Sequence, residues 1–297
     1  MNNCFSNYRR NNVDPPIALI KEVVSKALAE DLMPLGDLTS SLFPDNLSGR
    51  AKIVAKSTGV LAGRLCAQES FYQFDPRITV DWQVKDGDSV TKDVTVAALS
   101  GPLVSILTAE RTALNFLCHL SGIATLTRRF VEQINDVNPN CQIWDTRKTT
   151  PGLRTVEKAA VRAGGGFNHR GNLSESILIK DNHVAKLSIA DAVALARKYW
   201  PGKTVQVECD TLEQVEQALY AKASIIMLDN MDLSAVKSCV ELINDKRNSQ
   251  SQQVLIEVSG GVNLDTVGLY AAAGVDVISV GAITHSAPIL DLGLDIE

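Results

Sequence analysis

Two adjacent cations, Arg147 and Lys148, come shortly after the short apolar run "CQIW" at residues 141–144, separated from it by Asp145 and Thr146. Charged side chains are rarely buried in a hydrophobic core, so their position just past a predicted strand indicates a role in binding rather than in packing. Between residues 147 and 180 there are seven Lys/Arg and two acidic residues, which gives this segment +5 in a chain whose net charge is −5. A basic segment in an acidic protein predicts an anion-binding site.

Some of these cations have a simpler explanation. Three of them are spaced about one helical turn apart and predict a solvated helix face: Arg154, Lys158 and Arg162. The other four lie at predicted strand ends or beside glycines: Arg147, Lys148, Arg170 and Lys180. His169 and Arg170 follow the cluster "GGG" (164–166), which permits positive φ and close approach to a ligand, although a helix C-terminus also favours glycine.

The second half of the chain alternates short apolar runs with helical stretches. The runs cover residues 142–145, 177–182, 205–210, 225–230, 254–261 and 275–282. This alternation predicts parallel strands that are buried on both faces. Most runs end in a polar residue: Asp145, Lys180, Glu208, Asp229 and Ser259. An open sheet would gather polar groups at one switch point, whereas a parallel barrel collects them around one rim, so we predict a barrel.

The last two runs predict a phosphate site. In "VSGGV" and "VISVGA", the amides of Gly260, Gly261 and Gly281 could donate to phosphate oxygens without an obstructing side chain. Two tight turns with nothing bound are the alternative. Glu208 and Asp229 on the same rim suit a divalent metal or ribose hydroxyls. There are more cations than one phosphate group needs, which implies further anionic groups on the ligand, such as carboxylates or a diphosphate.

The first half of the chain has a mixed pattern that predicts an α+β layer. Helices are predicted at Ile17–Ala29 and Leu103–Leu120, and strands at Ala51–Lys56, Ile78–Val84 and Val94–Leu99. The sequence "KDGDSV" (85–90) predicts a hairpin turn between the last two strands. Six cysteines without a CxxC pair, a polar start before Pro15 and short apolar runs predict a cytoplasmic protein without a membrane span.

Several long blocks resemble the quinolinate phosphoribosyltransferase family. They are "ERTALNFLCHLSGIAT" (110–125), "DTRKTTPGLR" (145–154), "AVRAGGGFNHRGNLSESILIKDNH" (160–183), "VECD", "IIMLDN", "EVSGG" and "DVISVGA", and they cover nearly the whole chain in order. The resemblance implies an N-terminal α+β sandwich over residues 1–121, rejoined by the tail 284–297, and a C-terminal α/β barrel over 122–283. It also implies a cytoplasmic homodimer that uses Mg²⁺ and converts quinolinate and 5-phosphoribosyl 1-diphosphate to nicotinate mononucleotide, pyrophosphate and CO₂ in NAD biosynthesis.

The resemblance also assigns roles to individual residues. The contacts to substrate carboxylates and the phosphoribosyl donor fall on Arg147, Lys148, Thr149, His169, Arg170 and Lys180. Glu208 and Asp229 match an acidic pair near metal and ribose, and Ser259, Gly260, Gly261 and Gly281 match a 5′-phosphate cup. Arg111 matches an arginine donated across the dimer interface, although by itself it reads as a surface residue paired with Glu110. Lys148, His169, Lys180, Glu208 and Asp229 are the expected catalytic residues, and either Lys148 or His169 could supply a proton.

Three other functions compete with this interpretation. A nicotinate-using relative, or the similar protein of molybdenum-transport operons, would hold one carboxylate, and a full set of Arg111, Arg147 and Arg170 argues against that. A non-catalytic metabolite sensor could keep the phosphate cup but would gain little from burying Glu208 and Asp229. A nucleic-acid binder is disfavoured because the cations are predicted inside a concave mouth without an aromatic platform.

Overall fold

The computed structural model describes residues 14–44, 46–250 and 253–297. The chain divides into two compact units. Unit 1 comprises the residues up to Arg128, Thr149–Gly165 and Ile283–Glu297, and unit 2 comprises Arg129–Lys148 and Gly166–Ala282. The predictions for residues 1–13 lie outside the described residues. Within the described part of the chain, no helix combines the length and apolar character that crossing a membrane requires.

Unit 1 is built on an antiparallel sheet with helices. Its helices are α1 (Ile17–Leu32), α2 (Arg64–Phe74), most of α3 (Leu103–Asn135) and α4 (Arg154–Ala163). Four strands form one sheet in the order β12–β1–β5–β3: β1 (Ser48–Ala55), β3 (Thr79–Trp82), β5 (Thr95–Pro102) and β12 (Leu292–Ile296). A separate pair consists of β2 (Gly59–Val60) and β4 (Ser89–Val90). The core packs apolar side chains of this sheet, such as Ile53 and Leu99, against α3 side chains, such as Ile106 and Leu117.

The predicted elements of unit 1 are confirmed, with corrections to their ends and connections. Helix α3 continues to Asn135, well past the predicted end at Leu120, because apolar residues at helical spacing (Ile123, Phe130 and Ile134) remain buried. The strands flanking "KDGDSV" do pair antiparallel. The predicted hairpin turn is wrong, however, because β4 lies within this connection and pairs with β2 instead.

Helix α4 corrects a prediction about the cations. Its predicted solvated face is wrong, since Lys158 is buried and Arg154 and Arg162 are partly buried. The same helix buries Glu157 completely, and the two carboxylate oxygens of Glu157 contact His119 Nε2 at 2.8 Å and Thr150 N at 3.1 Å. Charged residues therefore anchor α4 to its surroundings, which periodicity alone does not distinguish from exposure.

Asp86 makes the stability of unit 1 depend on pH. Its carboxylate accepts hydrogen bonds from the main-chain N–H groups of Gly63 and Arg64, both at 3.3 Å, at the start of α2. Burial raises the pKa of Asp86 to about 6 from its ordinary 3.8, although these hydrogen bonds and the charge of Arg64 favour ionisation. Because the folded-state pKa is raised, the stability contributed by Asp86 is complete below about pH 3.8 and is lost as pH rises through about 6.

We therefore expect Asp86→Asn to stabilise the protein above pH 7. The amide stays neutral when buried, and the expected gain is about 1–2 kcal/mol after the weakening of one hydrogen bond is deducted. Thermal unfolding at pH 8 and pH 5 measures it, and the increase in Tm should be larger at pH 8. Asp88→Asn, which changes an exposed carboxylate of the same loop, is the matched control. A lower Tm for Asp86→Asn than for the wild type at pH 8 would contradict the prediction.

Unit 2 is a parallel α/β barrel, as predicted. Six strands run in the order β6–β11–β10–β9–β8–β7, and every neighbouring pair is parallel. They are β6 (Gln142–Trp144), β7 (Ile177–Ile179), β8 (Val205–Cys209), β9 (Ile225–Asp229), β10 (Leu255–Ser259) and β11 (Val277–Ser279). The helices are α5 (Asp181–Val184), α6 (Ile189–Tyr199), α7 (Leu212–Tyr220), α8 (Leu233–Gln250) and α9 (Val267–Ala272), followed at the boundary with unit 1 by α10 (Ala282–His285). All residues of β8 are buried, which is typical of a strand covered on both faces.

The predicted strands of unit 2 are confirmed, each with slightly different ends. The largest correction is at residues 275–282, where the strand covers only Val277–Ser279. At residues 177–182 the strand ends at Ile179, and Asp181 already begins α5. The glycine cluster serves the end of α4, since Gly165 adopts φ +94° immediately after it. The carboxyl ends of the strands lie at one edge of the barrel, and four of the predicted site residues lie at or beside these ends: Lys180, Glu208, Asp229 and Ser259.

Candidate active site

A lysine and two carboxylates form the centre of the rim. Lys180 Nζ donates to Glu208 Oε2 at 2.8 Å, with the lysine half exposed and the carboxylate buried. Asp229 lies level with Ser259 on the neighbouring strand. Burial raises the pKa of Asp229, while a hydrogen bond from Ser259 and the charges of Lys180 and Lys148 act in the opposite direction. The carboxylates at the ends of β8 and β9 therefore lie within interaction range of lysines that follow other strands, Lys180 after β7 and Lys148 after β6.

Two partly buried arginines of unit 2, Arg147 and Arg170, interact electrostatically. Arg170 Nη1 donates to the carbonyl oxygen of Ser176 at 2.9 Å. Burial lowers the pKa of the Arg170 guanidinium, and the neighbouring charge of Arg147 lowers it further. Two partly buried cations that repel each other are costly in the free protein. A ligand with two adjacent carboxylates would relieve that repulsion, because guanidinium groups bind carboxylates through paired hydrogen bonds.

The turn after β10 has the backbone that a phosphate cup requires. Gly260 and Gly261 adopt φ +93° and +62°. A Cβ on Gly260 would lie 2.2 Å from Asn230 Oδ1, so a side chain is excluded there both by conformation and by space. A Cβ on Gly261 would meet no atom within 4 Å, which leaves open space beside the turn. Gly281 follows β11 by two residues, at the corresponding end of the adjacent strand.

Asp145 anchors the loop that carries His169. The Asp145 carboxylate is fully buried and accepts hydrogen bonds from the main-chain N–H of His169 at 2.8 Å and from Asn168 Nδ2 at 2.6 Å. The rings of Trp144 and His169 meet edge to face, with centroids 5.6 Å apart. His169 is buried at 8% exposure, so its ring lies within the barrel wall rather than in solvent.

A second polar layer lies beneath the rim and was not predicted from the sequence. Gln206 precedes Glu208 by two residues, Glu257 precedes Ser259 by two, and Ser279 precedes Gly281 by two. Side chains at i and i+2 of a strand face the same side of the sheet. These three side chains are almost completely buried. The sequence feature that could have revealed this layer is the glutamate within the apolar run "VLIEVS", because glutamate is rarely buried without partners.

Comparison with known proteins decides the family. The models of the quinolinate phosphoribosyl transferase N-terminal and C-terminal domains match residues 37–121 and 123–295. The chain belongs to the quinolinate phosphoribosyltransferase family. The probable nicotinate-nucleotide pyrophosphorylase (carboxylating) of Bacillus subtilis is 40% identical over 279 residues, which are 93% of each chain. The chloroplastic nicotinate-nucleotide pyrophosphorylase (carboxylating) of Arabidopsis thaliana is 40% identical over 299 residues, covering 94% of this chain and 83% of that protein.

Structural comparison agrees with the family assignment. The nicotinate-nucleotide pyrophosphorylase from Francisella tularensis has a TM-score of 0.89 at 38% identity, covering 95% of this chain and 97% of that one. The resemblance read from the sequence blocks is thereby confirmed, as is the fold class of an N-terminal α+β domain and a C-terminal α/β barrel.

Two residues that the family resemblance singled out belong to unit 1. Arg111 projects from α3 with 64% of its side chain exposed, and its Nη2 lies 3.8 Å from Glu110 Oε1. Thr149 accepts a hydrogen bond from Arg154 Nε at 3.0 Å. All the other predicted site residues belong to unit 2, where the contacts described above bring most of them together.

The rim fits a magnesium ion that arrives with a substrate. Within residues 14–44, 46–250 and 253–297, no group of three or more His, Cys, Asp or Glu side chains is arranged to hold a metal. Magnesium in phosphate-transfer sites typically uses one or two carboxylates, with phosphate oxygens and waters supplying the other ligands. Glu208 and Asp229 provide that number of carboxylates, so the donor set suits a magnesium diphosphate rather than a metal held by protein alone.

Unit 1 contains a cavity of about 690 Å³ with a different character. It is lined by α1, α3 and residues 150–156, including Leu19, Val23 and Phe116. The charged residues of its lining are mainly acidic, with Glu22, Glu30 and Asp31 beside one lysine, Lys26. Acidic groups repel anions, so this cavity does not match the chemistry of the predicted substrates.

Proposed function

We propose that the protein transfers the phosphoribosyl group of 5-phosphoribosyl 1-diphosphate to quinolinate and decarboxylates the product. The products are nicotinate mononucleotide, pyrophosphate and CO₂, in NAD biosynthesis. The mutual repulsion of Arg147 and Arg170 is the observation that carries the proposal, because two partly buried cations that repel each other suit the two adjacent carboxylates of quinolinate. Glu208, Asp229 and the glycine turn supply the functions that the sugar phosphate requires.

The arginine pair orients the acceptor. Holding both carboxylates fixes the plane of the pyridine ring and directs its nitrogen at the anomeric carbon. Such positioning converts a bimolecular encounter into a near-unimolecular step. The new N–C bond forms as the bond from the anomeric carbon to the diphosphate oxygen breaks, and the electron pair of that bond leaves with the diphosphate.

The remaining rim residues bind the donor and stabilise the charge that develops on it. Ser259 and the amides of Gly260, Gly261 and Gly281 would hold the 5′-phosphate. Lys148 and Lys180 face the leaving diphosphate, and Glu208 and Asp229 face the ribose, where positive charge develops. Magnesium bound with the diphosphate, directly or indirectly on Glu208 and Asp229, would neutralise part of the leaving-group charge.

Decarboxylation follows from the ribosylated product. The ring nitrogen is now a cationic pyridinium, so the adjacent carbon can keep the electron pair when its carboxylate leaves as CO₂. That carbon then takes up one proton. Lys148 and His169 are the two candidate donors on this rim, and neither needs to act on the first bond-making step.

We expect the purified protein to release pyrophosphate and CO₂ in equal amounts when given quinolinate, the phosphoribosyl donor and Mg²⁺. Chelation of Mg²⁺ should abolish most of the activity. Coupled pyrophosphate detection and ¹⁴CO₂ release from carboxyl-labelled quinolinate measure the two products. Nicotinate, which has one carboxylate, should react far more slowly. Equal or faster turnover of nicotinate would overturn the assignment, and binding of both substrates without any product would favour a metabolite sensor.

We further propose that the protein acts as a cytoplasmic homodimer in which Arg111 enters the active site of the partner subunit. The exposed guanidinium of Arg111 supports this, because a cation on an otherwise strongly buried helix is available to an anion outside its own fold. The five cysteines in the described part of the chain are free thiols, which supports a reducing compartment.

A further inference from the structure

A continuous hydrogen-bond chain connects the interior of the barrel with His169. Glu257, in β10, is completely buried. Its Oε1 accepts the hydroxyl proton of Ser279, and its Oε2 accepts a hydrogen bond from Gln206 Nε2 at 2.7 Å. Gln206 Oε1 lies 3.1 Å from His169 Nε2, and His169 Nδ1 accepts the main-chain N–H of Arg170 at 2.8 Å. Glu257 Oε2 is also only 3.6 Å from His169 Nε2.

The donor and acceptor roles in this hydrogen-bond chain follow from its end at Glu257. The NH₂ group of Gln206 donates to Glu257 Oε2, and this bond fixes the orientation of the Gln206 amide. The carbonyl oxygen of Gln206 then faces His169 and requires a proton on His169 Nε2. At the other side of the ring, the Arg170 N–H requires a lone pair on Nδ1. The two ends specify the same form of His169, a neutral ring protonated on Nε2.

The hydrogen-bond chain also reaches Arg170, one of the two arginines described above. Arg170 is the residue whose N–H is held by the His169 ring, and its guanidinium interacts electrostatically with Arg147. The Asp145 carboxylate fixes the main chain of His169 from the opposite side. The loop conformation at Arg170 therefore depends on the orientation of one imidazole ring, which in turn depends on Glu257.

We propose that Glu257 is a positioning residue: through Gln206 it holds His169 in the Nε2–H form and thereby sets the main chain of Arg170 for quinolinate. This inference rests on the proposed function for its substrate. Both ring nitrogens of His169 are engaged within the protein, so His169 orients the site and Lys148 is left as the proton donor for the decarboxylated carbon. Catalysis needs no proton transfer along the hydrogen-bond chain from Glu257 to His169.

The form of His169 can be measured without substrate. The chain has four histidines, so ¹H–¹⁵N long-range spectra of ¹⁵N-histidine-labelled protein resolve each ring, with His169→Asn providing the assignment. In the wild type we expect His169 to be neutral with its proton on Nε2. In Glu257→Gln, two amide orientations become possible at 257 and 206, so a mixture of both tautomers is expected. Ser279→Ala, which removes a donor to the same carboxylate, should keep the wild-type tautomer.

Steady-state kinetics tests the consequence for quinolinate. Glu257→Gln should raise KM for quinolinate by roughly tenfold or more, in the range observed when an outer hydrogen-bond partner of a functional imidazole is removed. KM for the phosphoribosyl donor should change by less than about twofold, a split that general destabilisation of the fold would not produce. Glu69→Gln, which alters a buried carboxylate of α2 bonded to Gln73, is the matched control and should show wild-type kinetics.

The outcomes separate this inference from the proposed function. An imidazolium or an Nδ1–H ring in wild-type His169 would overturn the inference regardless of activity. An unchanged tautomer together with an unchanged KM in Glu257→Gln would also overturn it. If the wild type does not turn over quinolinate, the proposed function fails, while the spectra still decide whether Glu257 controls His169.

Discussion

Arg147→Ala and Arg170→Ala are each expected to raise KM for quinolinate by about ten- to a hundredfold with a much smaller change in kcat. A hydrogen bond to a charged partner contributes about 1.5–3 kcal/mol, and about 1.4 kcal/mol corresponds to a factor of ten. The arginines grip carboxylates that are present before and during the first step, so their loss removes binding that is shared by ground state and transition state. KM for the phosphoribosyl donor should remain close to the wild-type value.

Asp229→Ala is expected to show the opposite pattern. A carboxylate beside the ribosyl centre contributes mainly when positive charge develops there, so kcat should fall by about 10²- to 10³-fold while KM for quinolinate changes little. Asp229→Asn retains the size and removes the charge, and it should show nearly the same loss as alanine. Initial rates with each substrate varied at saturation of the other give both parameters.

Matched variants distinguish charge from geometry in these results. Arg170→Lys keeps the charge but not the paired hydrogen bonds, so its KM for quinolinate should lie between the wild type and Arg170→Ala. Arg129→Ala removes an exposed arginine of α3 and should behave like the wild type. Wild-type kinetics in Arg147→Ala, Arg170→Ala and Asp229→Ala together would show that the strand-end residues do not form the active site.

The barrel and much of its rim could be predicted because their physical signals are local. A strand buried on both faces is largely apolar, so the runs "VQVEC" and "IIMLD" can be recognised as strands from the sequence alone. A polar residue that ends such a run has no packing role, which marks Glu208 and Asp229 as candidates for chemistry. The interaction of Arg147 with Arg170 could not be predicted from the sequence, because the two residues come from different loops that only the folded unit 2 brings together.

The features that prediction missed depend on contacts distant in sequence. Lys158 was predicted on a solvated helix face with Arg154 and Arg162, yet the structure buries Lys158 and its neighbour Glu157. His119 on α3 and the main chain at Thr150 satisfy the carboxylate of Glu157. Periodicity reports which residues share a face, but it does not report what covers that face. Gln206 and Glu257 were similarly hidden, since they become a hydrogen-bonded pair only across the interior of the barrel.

Substitution of Arg111 has the largest expected effect on activity that the structure of one subunit does not explain. Its helix α3 is apolar over much of its circumference, and Ala109, Ala113 and Leu114 beside it are buried in unit 1. The Arg111 guanidinium itself is mostly exposed, and 3.8 Å from Glu110 is too long for a hydrogen bond. Arg111→Ala should therefore leave folding intact and, if the residue acts in the partner's active site, remove most of the activity.

Mixing two inactive variants tests whether the active sites are shared. Arg111→Ala and Lys180→Ala subunits should each be nearly inactive as homodimers, since one lacks the donated arginine and the other the lysine bonded to Glu208. In a mixed dimer, one site carries both changes and the other carries neither. Random pairing makes half of the dimers mixed, and each has one intact site of two, so about a quarter of wild-type activity should return after subunit exchange. Exchange is verified by differently tagged subunits. Activity that stays at the level of the separate variants after confirmed exchange would place Arg111 in its own subunit's site or outside any site, because only donation across the interface can rebuild a complete site from two defective chains.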